Sequence, residues 1–467
     1  MATRTVLQGL LFFPRGGSAQ TVRYLAAALP ATGWDARIVA GSAGAPDDLR
    51  NARRFFAGLD VHPVDYTPAF AVAAGGGDPL DLDVPLQPSY EDRPGAPDRV
   101  FARVSPALAA RQVQSWERAL TAAGAAEANV LHLHHLTPLH DAVERCWPSQ
   151  PIVTHLHGTE LLLLERIAAG SPAGWDYAGY WAGRLRTAAA RSAHVLTVSP
   201  DHKQRALAVL PLPPERITVV PNGVDLDRFR RRPVSTAERL ALLRRWLVDD
   251  PQGWDESGVV GSVRYRLSDL DAFIDPVTRQ PRPVLLFVGR FTEVKRLPLL
   301  LRAYARVRAA VGPAAPLLVW GGHPGEWEGE HPVTVARAEG VEGVFFTGWR
   351  GHDELPLGLS LADLLVVPSV QEAFGTVYIE AMAAGVPVVA ARSGGPESFV
   401  NTDPGRPDGW LVDRDDEDGL VAALVEALTR PAVRRERATR GEAFVRARYS
   451  WAAIAEQVAA VYERVLR

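Results

Sequence analysis

The sequence predicts an α/β protein made of two doubly wound, Rossmann-like domains with parallel sheets. Three observations carry this. Short apolar runs of strand length alternate with stretches of helical periodicity. The runs are apolar throughout rather than alternating, as in parallel strands covered on both faces. The same grammar occurs twice, beginning near Thr5 and again near Val284. A chain of 467 residues is long enough for two or three domains, each with its own core.

Taken in order, Thr5 to Phe13 is an apolar run ending in Pro14-Arg15-Gly16-Gly17, followed by a helical stretch (TVRYLAAALPATG) and a second strand, ARIVAG. Residues 129–136 (NVLHLHHL) and 151–158 (PIVTHLHG) read as strands with His-rich tips, and 194–200 and 216–223 as two more. In the second half, 284–288 (VLLFV) is a strand, GRFTE a turn, LPLLLRAYARVRAA a helix and PLLVWGG the next strand. GVFFTG (343–348), LLVVPS (364–369) and VPVVAA (386–391) continue the series. Ligands of such sheets bind beyond the carboxyl ends of the strands. Two segments break the rhythm. Residues 73–98 are rich in Gly, Pro and Asp with one aromatic, Tyr90. Residues 228–282 open on Arg228, Arg230, Arg231 and Arg232, read as a solvated face at the domain junction.

Composition excludes several classes. A net charge of −3 argues against a general nucleic-acid binder. One Cys, Cys146, excludes a disulfide scaffold and fits a reducing compartment. No apolar run approaches the ~20 residues needed to span a bilayer, so the N-terminal run reads as a first buried strand of a cytoplasmic protein rather than a signal peptide. Of 51 basic residues only two, Lys203 and Lys295, are Lys; the rest are Arg, the mark of a GC-rich coding bias. A Lys that persists in such a chain is mildly informative.

The strongest chemical constellation is PSVQEAFGTVYIEAMAAGVPVVA, residues 368–390. A strand ends at Ser369, a loop carries Glu372 and a helix begins near Thr376. Gly375 permits close backbone approach, and an open helix N-terminus offers N–H groups to an anion. Glu380 lies one turn after Thr376 on the same face. Two carboxylates beside an anion site suit hydroxyls, as on a sugar or ribose. The plainer alternatives are a solvated helix Glu380 and a helix-dipole role for Glu372. A second constellation is GRFTEVKR, where Arg290 and Lys295 in a strand-to-helix loop can neutralise a diphosphate without a metal. His157, at a strand tip in THLHGTE, can hydrogen-bond a sugar hydroxyl; a structural His is the alternative. Gly16 and Gly17 form a loop that backbone groups could use, or simply a tight turn.

In this order and spacing these stretches resemble the retaining glycosyltransferases of family 4, which have the GT-B fold of two Rossmann-like domains facing a central cleft. The resemblance rests on Gly16-Gly17, HLHG (155–158), VVPNGVD (219–225), VGRFTEVKR (288–296), FTGW (346–349), Glu372 and Glu380 with seven residues between them, SGGPE (393–397) and the final YSWAAIAEQVAAVYERVL. It covers nearly the whole chain.

The resemblance implies the following organisation. Residues 1–232 form the acceptor-side domain with its 73–98 insert, 233–282 a linker or insert and 283–449 the donor domain. Residues 450–467 form a helix crossing back to the first domain. It implies transfer of a sugar, of hexosyl type, from a nucleoside diphosphate such as UDP or GDP, with retention, no metal and no other cofactor. Arg290 and Lys295 would take the diphosphate and Glu380 the ribose. Trp349 and Arg350 would edge the base, and Glu372, Phe374, Gly375, Thr376 and Val377 would hold the sugar and phosphate. Gly16 and Gly17 would approach the donor phosphates or the acceptor, and His157 would face the acceptor. No strong amphipathic basic helix announces a membrane acceptor, so a small soluble molecule of natural-product or thiol biosynthesis is expected, and a homo-oligomer is compatible with this. Attack from the front face, with closure of the domains, would account for the lack of a carboxylate nucleophile of the glycosidase kind. Hydrolase, phosphorylase and non-catalytic binder are the rival readings on the same fold. His132, His134, His155 and His157 suggest a metal hydrolase, but Asp141 and Glu160 complete no familiar ligand spacing. Asp81 and Asp83 suggest a metal–sugar site but lie in a Pro-rich loop.

Overall fold

A computed structural model describes residues 4–93, 95–312 and 315–467. The chain divides into two compact units: the first ends at Gly223 and takes in Trp451–Arg467, and the second is Val224–Ser450.

In the first unit seven parallel strands lie in the order β3-β2-β1-β4-β5-β6-β7. They are β1 (Arg4–Leu10), β2 (Trp34–Ser42), β3 (Asp60–Asp65), β4 (Val130–His134), β5 (Ile152–His155), β6 (His194–Thr197) and β7 (Ile217–Val219). The order reverses direction between β1 and β4, so ligand-binding loops are expected beyond Leu10 and His134. Helix α1 (Gly17–Ala28) follows β1 and helix α2 (Thr159–Ala169) follows β5. The edge strand β3 (DVHPVD) carries no apolar run that would announce it. Only Val64 in it is buried, and Pro63 is tolerated because an edge strand needs fewer ladder bonds.

The 73–98 insert is part of this unit's core. Leu80, Leu86 and Tyr90 are buried among the strands' residues, and the Tyr90 hydroxyl donates to the carbonyl of Leu136 at 2.5 Å.

The second unit has six parallel strands in the order β10-β9-β8-β11-β12-β13. They are β8 (Leu285–Val288), β9 (Leu317–Trp320), β10 (Val344–Gly348), β11 (Leu364–Val367), β12 (Val388–Ala391) and β13 (Trp410–Val412). The switch point lies between β8 and β11. Helix α3 (Leu297–Val311) follows β8 and helix α4 (Thr376–Ala383) follows β11. The three residues of β13 at the far edge make too short a run to read from sequence.

The division differs from expectation at the junction. The second unit starts at Val224 rather than after residue 232, and of the two expectations for 233–282, a linker or an insert, it is the insert, belonging to this unit. Trp246, Trp254 and Phe273 are fully buried in it. The Trp254 indole donates to the Gly322 carbonyl at 3.0 Å, and the Phe346 N–H donates to the Tyr265 hydroxyl at 2.8 Å. The segment therefore covers the otherwise open edge of β10, where unpaired backbone groups would be exposed.

The last helix, α5 (Trp451–Val465), belongs to the first unit. Trp451, Ile454, Val458 and Tyr462 pack with Val6, Trp34, Val130, Val153 and Val220.

Candidate functional site

The switch point of the second unit gathers the candidate donor residues. The loop after β8 carries Arg290 and Lys295; the loop after β11 carries Glu372. The Val370 N–H donates to the Val294 carbonyl at 2.8 Å, tying the two loops side by side. Lys295 Nζ consequently lies 2.5 Å from Glu372 Oε2, with both side chains about four-fifths buried (20% and 17% exposed). On its other side the Glu372 carbonyl accepts the Gly395 N–H at 2.8 Å, and the Gln371 N–H donates to Ser393 Oγ at 2.7 Å. The SGGPE loop thus braces the Glu372 loop. A Cβ at Gly395 would fall 2.2 Å from the Phe374 carbonyl oxygen, so only glycine allows this approach.

Gly375 caps α4 in the left-handed region (φ 87°), where a Cβ would strike the Tyr378 ring at 2.5 Å. No acidic residue and no side-chain cap occupies the first turn, which leaves the N–H groups of Thr376 and Val377 at a positive dipole end. Phe374 is buried against Phe399. Glu380 is not a solvated helix residue: it is 5% exposed, and its Oε1 accepts a hydrogen bond from His352 Nε2 at 2.7 Å. Sequence reasoning misses His352 because its pairing spans 28 residues, and a lone His in GHDE carries no spacing signal. Trp349 stacks on His323 with centroids 4.9 Å apart, forming an aromatic shelf beyond β9 and β10.

Arg350 is placed differently from expectation. Its side chain is fully buried and is spent on the insert: it pairs with Asp250 at 3.1 Å and donates to the carbonyls of Trp246 and Asp250. A buried guanidinium with these partners secures the 245–250 turn rather than edging a base.

In the first unit, Gly16 (φ 88°) and Gly17 open α1. A Cβ at either position would meet nothing within 4 Å, so the backbone there faces open space. His157 follows β5. The alternation of β4 and β5 stacks His132 on His134 (4.5 Å) and His155 on His157 (4.7 Å). His132 Nδ1 lies 2.5 Å from the Tyr462 hydroxyl, and His134 Nδ1 lies 3.0 Å from His157 Nε2. Burial, then the neighbouring imidazoles, holds His157 well below the ordinary histidine pKa, and His155 is brought down to about 3 by burial first. His132, His134 and His155 offer nitrogens within 4.8 Å of one another. Their rings are nearly parallel (10–26°), so the in-plane lone pairs run side by side instead of converging on one point. Asp81 is ion-paired with Arg111.

Known proteins sort the fold first. The chain is similar over 99% of its length to sucrose-phosphate synthase from Thermosynechococcus elongatus (21% identity, TM-score 0.65, 99% of that chain covered). It is also similar to HepE of Anabaena in complex with UDP and glucose (18%, TM-score 0.61, 98% of this chain and 99% of that one). Two parallel-sheet α/β units with these neighbours define a GT-B glycosyltransferase fold. Residues 15–228 match the family model described as Glycosyltransferase Family 4, and residues 282–430 the one described as Glycosyl transferases group 1. The chain belongs to glycosyltransferase family 4.

Among curated relatives, D-inositol 3-phosphate glycosyltransferase of Salinispora tropica is 31% identical over 255 residues, 53% of this chain and 46% of that protein. GDP-mannose-dependent alpha-(1-6)-phosphatidylinositol monomannoside mannosyltransferase of Mycobacterium tuberculosis is 31% identical over 261 residues, 53% of this chain and 56% of that protein. The chain thus spans about half the length of the curated relatives it matches. Among the described residues, no helix is long and apolar enough to cross a membrane.

Proposed function

We propose that this protein is a retaining glycosyltransferase that moves a sugar from a nucleoside-diphosphate donor to a small soluble acceptor without a metal. The observation that carries this is the Lys295–Glu372 pair at the switch point, beside the N-terminus of α4 and the buried Glu380–His352 pair. A cation, a helix N-terminus without a side-chain cap and two carboxylates in one place match a diphosphate flanked by hydroxyl-bearing rings.

In this reading Lys295 and Arg290 balance the diphosphate, Thr376 and Val377 offer N–H groups to it, and Glu372 accepts from the sugar hydroxyls. Glu380, oriented by His352, accepts from the ribose, and the Trp349–His323 shelf stacks the base. The acceptor substrate is served by Gly16, Gly17 and His157 of the first unit. The anomeric carbon–phosphate oxygen bond breaks as the acceptor hydroxyl bonds the same face, and the hydroxyl proton passes to the departing phosphate oxygen. Positioning and charge stabilisation supply the catalysis. The curated relatives named for inositol phosphate and phosphatidylinositol make a polyhydroxylated acceptor such as a cyclitol phosphate the first to try.

The test is a donor and acceptor panel read by anomeric proton NMR. Retention of the donor's configuration in a product linked to the acceptor supports the reading. Free sugar or sugar 1-phosphate as the sole product would make the protein a hydrolase or phosphorylase, and donor binding without turnover would make it a binding protein.

A further inference from the structure

His157 is enclosed by groups that the donor chemistry does not use. Glu160, three residues on and in the first turn of α2, is fully buried. Its Oε1 accepts the backbone N–H of His157 at 2.6 Å, and its Oε2 lies 3.0 Å from His135 Nδ1. Burial works to raise the Glu160 pKa, but the charge and hydrogen bond of His135 overcome it and bring it down to about 2. An ionised carboxylate only accepts, so His135 must present Nδ1–H to it.

His135 itself has φ 63°, a backbone conformation that non-glycine residues seldom adopt and that persists only where the surroundings enforce it. That turn lays its ring against His157, centroids 4.5 Å apart. From the other side His134 Nδ1 meets His157 Nε2 at 3.0 Å, while His134 Nε2 lies 3.1 Å from the Gln8 amide oxygen. With the Gln8 amide oriented this way, an oxygen can only accept. His134 then carries its proton on Nε2, and its bare Nδ1 accepts from His157 Nε2–H. His157 Nδ1 takes no protein partner among the described residues.

We infer that His134, His135 and Glu160 are positioning residues that hold His157 as its Nε2–H tautomer, with Nδ1 kept bare to accept a hydrogen bond from substrate. The substrate group met by His157 is therefore a donor, a hydroxyl of the acceptor substrate, and not a phosphate or carboxylate oxygen. This rests on the reading of His157 as an acceptor-side residue.

The experiment is long-range nitrogen–proton NMR of the 15N-histidine-labelled full chain, with His157→Asn to assign the signal. Wild type should show His157 neutral, with the proton on Nε2. His134→Phe keeps a ring in the stack but removes the hydrogen-bond partner, and should give mixed tautomers. Glu160→Gln should release the His135 ring. Both should lower kcat for transfer at least tenfold with nucleoside-diphosphate affinity unchanged within twofold. A wild-type His157 carrying its proton on Nδ1, or both variants folded with wild-type kcat, overturns the inference. The tautomer signal needs no turnover, so a protein that transfers nothing would refute the transferase reading while this spectrum still decides the role of the cluster.

Discussion

Lys295 Nζ lies 2.5 Å from Glu372 Oε2 in the second unit, although 77 residues separate them. The pairing follows from topology: β8 and β11 are neighbours across the switch point, and the loops leaving them are stitched together by the Val370–Val294 bond. A diphosphate arriving there meets a cation already held in place by a carboxylate.

Glu372→Gln is expected to reduce transfer by roughly 10²- to 10³-fold, the usual loss when a preorganised electrostatic group is removed, with the thermal midpoint nearly unchanged. Steady-state kinetics and a melting curve check it. Lys295→Arg is the finer test. The Gly289 Cα sits against the Lys295 stem, where a Cβ would be 3.5 Å from Lys295 Cδ. A bulkier, forked guanidinium should recover only part of the activity there.

Removing the Glu380 carboxylate or its His352 partner should weaken nucleotide binding by about 1.5–3 kcal/mol, the range for a hydrogen bond to a charged group. The specific signature is the ribose. Wild type should prefer a ribonucleotide to its 2′,3′-dideoxy analogue, and Glu380→Gln should lose that preference in calorimetry.

Arg350→Ala should act on stability and not on the donor. Its guanidinium is fully buried and donates to two carbonyls, while Asp250 is half exposed, so the loss comes from carbonyls left without their donor, roughly 1–3 kcal/mol. Denaturant unfolding should report that loss, with nucleotide affinity retained in the folded fraction. Full stability with lost nucleotide binding would return Arg350 to the donor site.

How far the sequence could be read shows in these cases. Strand runs such as VLLFV and LLVVPS were legible because parallel strands are buried on both faces. The two edge strands, DVHPVD and Trp410–Val412, were not, being polar or only three residues long. Glu372, Glu380, Lys295 and His157 stood out through spacing and family likeness. The Glu380–His352 and Glu160–His135 pairs did not, because chain separation hides a side-chain pair that only the folded loops create. The 233–282 segment read only as a linker or insert because Trp246, Trp254 and Phe273 are scattered without periodicity; its role, covering the β10 edge, exists only in three dimensions.

Acid should destabilise the first unit early. His140, His155 and His202 are held by burial at about 4, 3 and 4 respectively, against an ordinary value of 6.5. Below pH 6.5 the unfolded chain takes up protons that the folded chain refuses, so stability falls as pH falls, by about 1.4 kcal/mol per unit for each histidine. These three alone give roughly 4 kcal/mol per pH unit between about 6 and 4. Glu160, depressed to about 2, adds its own loss only below its unfolded value of 4.5. Urea midpoints over pH 4–8 measure this; a flat profile would contradict it.

The second unit is expected to bind a nucleoside diphosphate through Lys295. Titration calorimetry of wild type and Lys295→Ala, each with a nucleoside diphosphate and with the parent nucleoside, tests it most directly. The diphosphate should bind wild type far more tightly than the nucleoside does. Lys295→Ala should erase at least tenfold of that advantage and leave the nucleoside unaffected. Equal diphosphate affinity in the two proteins would contradict the account.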